Sequence, residues 1–151
     1  MWFMNKIANP FVRLILRSPL HGIMSASVML ITYTGCKSGK EYTLPVQFAS
    51  ENHTINIVPG NANKKTWWRN LRREPAMKLW MAGVAKSGRA VVLEGDFQVS
   101  LITQLLTTYL LRFPPSAKMR NIRIDQDGRV NQEDVERAAQ STVIVRVDLF
   151  E

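Results

Sequence analysis

Residues 27–60 read SVMLITYTGCKSGKEYTLPVQFASENHTINIVPG, and the fold follows from the way this stretch divides. SVMLITYTG (27–35) is rich in β-branched and apolar residues and ends at Gly35, the signature of a strand. KSGK (37–40) is a turn, and YTLPVQFAS (42–50) is a second strand in which Pro45 points to a sheet edge or a bulge. Glu51, Asn52 and His53 turn the chain into a third strand, TINIVPG (54–60). Three strands joined by short polar turns form a meander, not a series of βαβ units.

Working toward the C-terminus, Asn61–Asn63 offer caps for a short helix over KKTWWRNLRRE (64–74), stopped by Pro75. AMKLWMAG (76–83) and GRAVVLEGDF (88–97) read as strands around a Lys86-Ser87-Gly88 turn. From Val99 the period changes, since Val99, Ile102, Leu105, Leu106, Tyr109, Leu110 and Phe113 recur at helical spacing until Pro114 and Pro115. Residues 116–130 read as loop, Asn131 caps a helix over QEDVERAAQ, and TVIVRVDLF (142–150) alternates as a last strand. The expected fold is mainly β (α+β): a six-stranded antiparallel β-barrel with peripheral helices, in one domain over residues 1–151.

The charge of the chain is uneven. Its net charge of +8 arises wholly within residues 1–73, which carry ten basic side chains against Glu41 and Glu51, while residues 74–151 are neutral. A localised positive field favours an anionic partner. Cys36 is the sole cysteine, which excludes an intramolecular disulfide and a multi-cysteine metal centre, and no metal site is expected. The uncharged run 18–36 holds too many polar residues and breakers to span a membrane, and no secretory signal is evident, so the chain reads as cytoplasmic. Residues 1–17 differ: Trp2, Phe3, Ile7, Phe11, Leu14 and Ile15 interleave with Lys6, Arg13 and Arg17 in a basic amphipathic segment. It suits a helix over the barrel or a peripheral membrane contact.

Two turns in the basic half are suited to anions. Cys36, Lys37, Ser38, Gly39 and Lys40 combine cations, a hydroxyl and glycine-freed N–H groups, without the GxxxxGK[ST] pattern of a phosphate-binding loop. The plain alternative is a solvated hairpin turn. The second, VPGNANKKTWWRNL (58–71), places N–H groups after Gly60 at the start of a basic helix. On a helical wheel Trp67 and Leu71 share a face and are the better core candidates, so Trp68 and Asn70, which the resemblance described below sets at a pocket wall, should behave differently. Any proton needed would come from solvent or from a group such as Tyr109 or His21. No Ser/His/Asp or paired-carboxylate arrangement is present, so catalysis would rest on a bound cofactor.

The ordered series NPFVRLILRSPLH (9–21), LITYTGCKSGKEYTLPVQF (30–48) and VPGNANKKTWWRNLRREP (58–75) resembles the deazaflavin-dependent nitroreductases, also called F420-dependent quinone reductases, over residues 9–97. The resemblance implies an FMN-binding-like split barrel that passes a hydride from reduced coenzyme F420 to a quinone, nitro or enone acceptor. It implies that Lys37, Ser38, Gly39 and Lys40 hold the phosphate and polyglutamate tail, that Pro45 and Gln47 lie beside the ring, and that Pro59, Gly60, Asn61 and Lys65 line the next turn. Trp67, Trp68 and Asn70 would border the pocket, and Cys36 stands where the family commonly has arginine. The alternatives are an FMN-dependent reductase of the same fold and a non-catalytic flavin or deazaflavin carrier, acting as monomer or homodimer. A nucleic-acid module ranks last, because the basic residues gather at two turns and no nucleic-acid motif is present.

Overall fold

A computed structural model describes residues 27–81 and 83–150; residues 1–17 and His21 lie outside these. Seven strands form one antiparallel sheet: β1 (Val28–Thr34), β2 (Glu41–Gln47), β3 (Ala49–Glu51), β4 (Thr54–Ile57), β5 (Ala76–Met81), β6 (Val84–Glu94) and β7 (Val143–Leu149). Their order in the sheet is β2-β1-β5-β6-β7-β4-β3. The two edge strands are thus consecutive in sequence, separated by Phe48 alone. A chain advances at most about 3.6 Å per residue, so the two edges of the sheet must lie close together. The sheet therefore curls into a barrel-like cylinder.

The expected strand over 42–50 is this corner. Its first part pairs with β1, from Val28↔Gln47 to Thr34↔Glu41, and its last part pairs with β4, from Ala49↔Asn56 to Glu51↔Thr54. Phe48 donates its N–H to the Ser27 carbonyl and is buried at the bend. One expected strand becomes two because it changes partners, which raises the count from six to seven. Pro45 sits in β2, where an edge strand tolerates the missing N–H.

Period-two alternation gives the sheet two apolar faces. Met29, Ile31, Tyr33, Ile55, Ile57, Ala90, Val143, Val145 and Val147 fill the interior. Leu93 and Ile144 point the other way, into a second core with Ile102, Leu106, Leu110 and Val135. That outer core is covered by α1 (Gly95–Arg112), α2 (Pro115–Met119) and α3 (Gln132–Ala139). Each fully buried Leu or Ile contributes about 1.5–3 kcal/mol.

Four local expectations are corrected. Lys86, Ser87 and Gly88 do not form a turn: the reversal lies at Gly83 (φ 78°), and β6 runs straight through them. Gly88 instead permits close backbone approach, since a Cβ there would lie 2.6 Å from Val147 Cγ1 and 2.8 Å from the Asp148 carbonyl oxygen. The basic helix over 64–74 is only a 3-10 turn, Trp67–Leu71, whose N-cap Thr66 makes no side-chain capping bond. The expected loop over 116–130 contains α2 and an Ile124↔Val130 bridge, closed by the Asp125 N–H to Arg129 carbonyl bond of 2.8 Å. Finally, α1 starts at Gly95, although Gln98 is non-helical (φ −137°), so the regular helix resumes at Val99 as its periodicity predicts. Asn131 caps α3 as expected, its side chain accepting the Asp134 N–H at 3.0 Å. Among the described residues no helix is long and apolar enough to cross a membrane.

Candidate functional site

A groove of about 280 Å³ opens where β2, the segment after β4, the 3-10 turn and the α1–α2 region converge. Leu44, Pro45 and Val46 come from the edge strand, Val58, Pro59 and Gly60 from the end of the meander, and Trp67 from the 3-10 turn. Among these apolar groups stand the polar side chains of Gln47, Lys65, Tyr109, Ser116 and Arg120. Apolar walls with a few convergent polar groups are the usual form of a small-molecule site. Its volume falls just below the range of about 300–1,000 Å³ typical for ligand pockets, which suits a planar ring system rather than a whole dinucleotide-sized molecule.

The polar groups interact. Tyr109 donates its hydroxyl hydrogen to Gln47 Oε1 at 3.0 Å, joining α1 to β2 across the groove. Burial raises the Tyr109 pKa, with the nearby Arg120 charge opposing, so the phenol is protonated at neutral pH. Burial pushes the Arg120 guanidinium below its ordinary value, yet arginine stays charged in proteins. Arg120 Nη2 reaches the Val58 carbonyl oxygen only at the long distance of 3.5 Å, and its buried Nε has no hydrogen-bond partner.

Of the residues singled out from sequence, Pro45, Gln47, Pro59, Gly60, Lys65 and Trp67 line this groove. Asn61 (φ 51°) lies in the adjoining cleft with Asn63, Arg120 and Arg137, its backbone carbonyl holding the Lys64 and Lys65 N–H groups. The turn of Cys36, Lys37, Ser38, Gly39 and Lys40 is exposed and lines neither cavity. It is nonetheless tied to the groove wall. The Cys36 N–H donates to Asn70 Oδ1 at 2.9 Å, while Asn70 Nδ2 donates to the Trp67 carbonyl at 2.9 Å. A line of aromatic rings runs beside this bond: Trp67 lies 6.1 Å from Tyr33, which stacks on Tyr42 at 5.7 Å. The Tyr42 hydroxyl then meets Ser38 Oγ at 3.1 Å. Gly39 adopts φ 68°, the left-handed conformation that its type allows without strain.

The two tryptophans exchange their expected places. Trp68 is buried at 4% exposure, not at the pocket wall, and its indole N–H donates to the Ala62 carbonyl at 3.0 Å. Trp67 is only partly buried and faces the groove. The cause is the 3-10 turn: with three residues per turn instead of 3.6, the helical wheel used to orient the pair no longer applies. Asn70 is likewise a tether between two segments, with both amide functions engaged by backbone.

Sequence reasoning passed over Arg120, which lies in the expected loop and in the electrically neutral half. Its backbone is held firmly. Arg123 makes a bidentate pair with Asp134, Nε to Oδ2 at 2.8 Å and Nη2 to Oδ1 at 3.2 Å, and adds its N–H to Oδ2 at 2.9 Å. Arg137 bonds Asp134 and the Asn121 carbonyl, the latter at 2.8 Å. These bonds pin residues 121–123 to α3 and so fix where Arg120 leaves α2. The Arg123 side chain and N–H, more than the added charge of Arg137, hold the Asp134 carboxyl well below the usual carboxylate range. A depressed folded-state pKa gives stability that is present above the unfolded value of about 3.9 and lost as pH falls below it. Asp134→Asn should therefore lower Tm at neutral pH and flatten the loss of Tm between about pH 5 and pH 2. An unchanged acid limb in thermal melts would show that Asp134 does not carry this dependence.

A family model described as F420H(2)-dependent quinone reductase matches residues 19–110, well over half of the chain. Comparison with curated proteins finds no match. Among solved structures, an F420-H2-dependent reductase (FDR-A) is similar at TM-score 0.54 and 19% identity, covering 80% of this chain and 93% of its own. A domain-swapped dimer aligns at TM-score 0.56 and 18% identity, covering 97% and 96% of the two chains. A FAD- and haem-binding protein from Mycobacterium smegmatis aligns at TM-score 0.50 and 12% identity, over 89% and 66%. At these identities the structural likeness concerns the split-barrel fold.

Proposed function

The chain belongs to the F420H(2)-dependent quinone reductase family, and from that premise we propose how its own residues serve an F420-dependent reductase acting on small-molecule acceptors. The observation that carries the reading is the groove itself: apolar walls and Trp67 for a planar ring, with cationic Lys65 and no carboxylate among its lining residues. The donor set thus fits an electron-rich, negatively charged coenzyme.

When bound, reduced F420 supplies a hydride. The chain's part is to bind, orient and exclude water. Trp67 offers an aromatic face, and Pro45, Val58 and Pro59 remove water from the ring's edge. With the ring in the groove, the coenzyme's anionic tail belongs on the neighbouring surface. There Lys37 and Lys40 flank the Ser38-Gly39 turn, which Asn70 holds beside the groove wall. Gln47, with its carbonyl oxygen occupied by Tyr109, keeps its amide hydrogens for a ligand carbonyl. This division of labour favours F420 over FMN, whose single phosphate offers the turn fewer charges than a phosphate followed by glutamates.

Equilibrium titration of the purified protein with F420 and with FMN, followed by tryptophan quenching, tests the reading. Saturable binding of F420 at least about tenfold tighter than FMN is expected from even one additional charge-assisted contact. Equal or tighter binding of FMN would move the protein to the flavin-dependent alternative.

A further inference from the structure

We propose that Arg120 is the counter-charge for the acceptor: it sits where the oxygen of a quinone or conjugated carbonyl rests and stabilises the negative charge that this oxygen gains on reduction. The inference rests on the F420-dependent reading above and adds to it a residue and an acceptor class. Three features of the structure support it.

The first is position. Arg120 lines the groove together with Tyr109 and Gln47, whereas Lys37 and Lys40 line neither cavity. The surface turn already supplies cations for an anionic tail, and a separate guanidinium within the groove addresses a separate charge. The second is the absence of a partner. Asp134 pairs with Arg123 and Arg137, and Glu94 with Arg72. Among the described residues no carboxylate lies within ion-pair distance of Arg120, whose buried Nε is unsatisfied and whose bond to Val58 is long. Unlike the solvated cations of the turn, it meets a ligand already largely stripped of water, where charge interactions are strongest.

The third is preorganisation. The Arg120 N–H is bonded to the Ala117 carbonyl at 3.1 Å, and Ile122 donates to the same carbonyl at 2.9 Å. The Asp134 clamp then fixes the segment that follows. A cation aimed at the place where charge develops, and needing no rearrangement when it does, is the usual form of electrostatic catalysis. The balance is simple. A hydride adds to the acceptor, the carbonyl π pair moves onto oxygen, and that oxyanion takes a proton from solvent; the acceptor is reduced by two electrons and the coenzyme is oxidised by two.

The test compares two planar probes of one size on the coenzyme-free protein: 1,4-naphthoquinone, which is neutral, and 2-hydroxy-1,4-naphthoquinone, which is an anion at neutral pH. The wild type should bind the anion at least about tenfold more tightly, by tryptophan quenching, as expected of one charge-assisted contact in a sheltered site. Arg120→Gln should reduce that preference to about twofold or less, and Arg120→Lys should retain part of it. F420 affinity should stay within about threefold in both variants. A wild type with no preference for the anion overturns the proposal without recourse to any variant, as does a preference that survives in a folded Arg120→Gln protein. Loss of F420 affinity equal to the loss of anion preference would assign Arg120 to the coenzyme instead. Failure of the wild type to bind F420 at all would sink the coenzyme reading, while the two naphthoquinones still decide whether Arg120 holds an anionic oxygen.

Discussion

Trp68→Ala is expected to cost about 3–5 kcal/mol of stability, the usual range for emptying a buried tryptophan site. Trp67→Ala should cost much less and should chiefly weaken the ligand. Trp68 is fully enclosed in the barrel core with Leu71, Ile57 and Met77, and its indole N–H is satisfied by the Ala62 carbonyl. Arg69 and Arg72 lie over its ring at 5.4 and 5.0 Å, so truncation also removes two cation–π contacts. Its loss further frees the Ala62 carbonyl and loosens residues 61–66, which connect the groove to the 3-10 turn. Trp67 has solvent on its groove side, and its main partner is Tyr33 at 6.1 Å. Removing it deletes a stacking wall, an effect of about 0.5–1.5 kcal/mol beyond area on whatever ring lies against it. Urea melts and F420 titrations of both variants separate the two roles. A Trp67→Ala protein that unfolds as readily as Trp68→Ala, with unchanged ligand affinity, would mean that the indoles are the other way round.

This pair shows where sequence reading succeeds and where it stops. Strands are legible because alternation is a property of the residues alone: Val143, Val145 and Val147 point inward wherever β7 is placed. The meander and the Asn131 cap are legible for the same reason, each depending on neighbours within a few residues. What failed depends on distant partners. Whether residues 42–50 form one strand or two is decided by β1 and β4, which pair with different parts of it. Whether Gly88 marks a turn or a close approach is decided by Val147 and Asp148. The helical wheel over 64–74 assumed 3.6 residues per turn, and a five-residue 3-10 turn rotates every side chain away from its predicted face.

The site divides along the same line. Pro45, Gln47, Pro59, Gly60, Lys65 and Trp67 meet in the groove because they belong to consecutive segments of one meander and its exit. Tyr109 and Arg120 come from α1 and the end of α2, each 62 residues along the sequence from its partner, Gln47 and Val58 respectively. Net charge drew attention to the first half of the chain, yet charge must be paired before its meaning is visible. In the neutral half Arg123, Arg137 and Arg146 are matched by Asp134 and Asp148, which leaves Arg120 distinct from its neighbours.

Replacing Lys37 and Lys40 together with alanine should weaken F420 by two orders of magnitude or more, with Tm unchanged to within a few degrees. Each charge-assisted contact contributes about 1.5–3 kcal/mol, and two lost contacts amount to at least about a hundredfold in affinity. The fold should tolerate the change because the turn's shape comes from other groups. Gly35 bonds Lys40 through backbone at 2.8 Å, Gly39 donates to the Gly35 carbonyl at 2.9 Å, and Asn70 holds Cys36. Ser38 Oγ adds a 3.2 Å bond from the Lys40 N–H, again through backbone. The lysine side chains have no part in any of these. Both are exposed, so their attraction to a polyanion is screened by salt, and the wild-type affinity should fall steeply as ionic strength rises while that of the double variant falls little. A deazaflavin fragment lacking phosphate and glutamates provides the control. It occupies the groove alone and should bind wild type and variant equally, with Trp67 quenched in both. If the full coenzyme also binds both proteins equally, the tail does not cross this turn, and the excess positive charge of the first half serves another purpose.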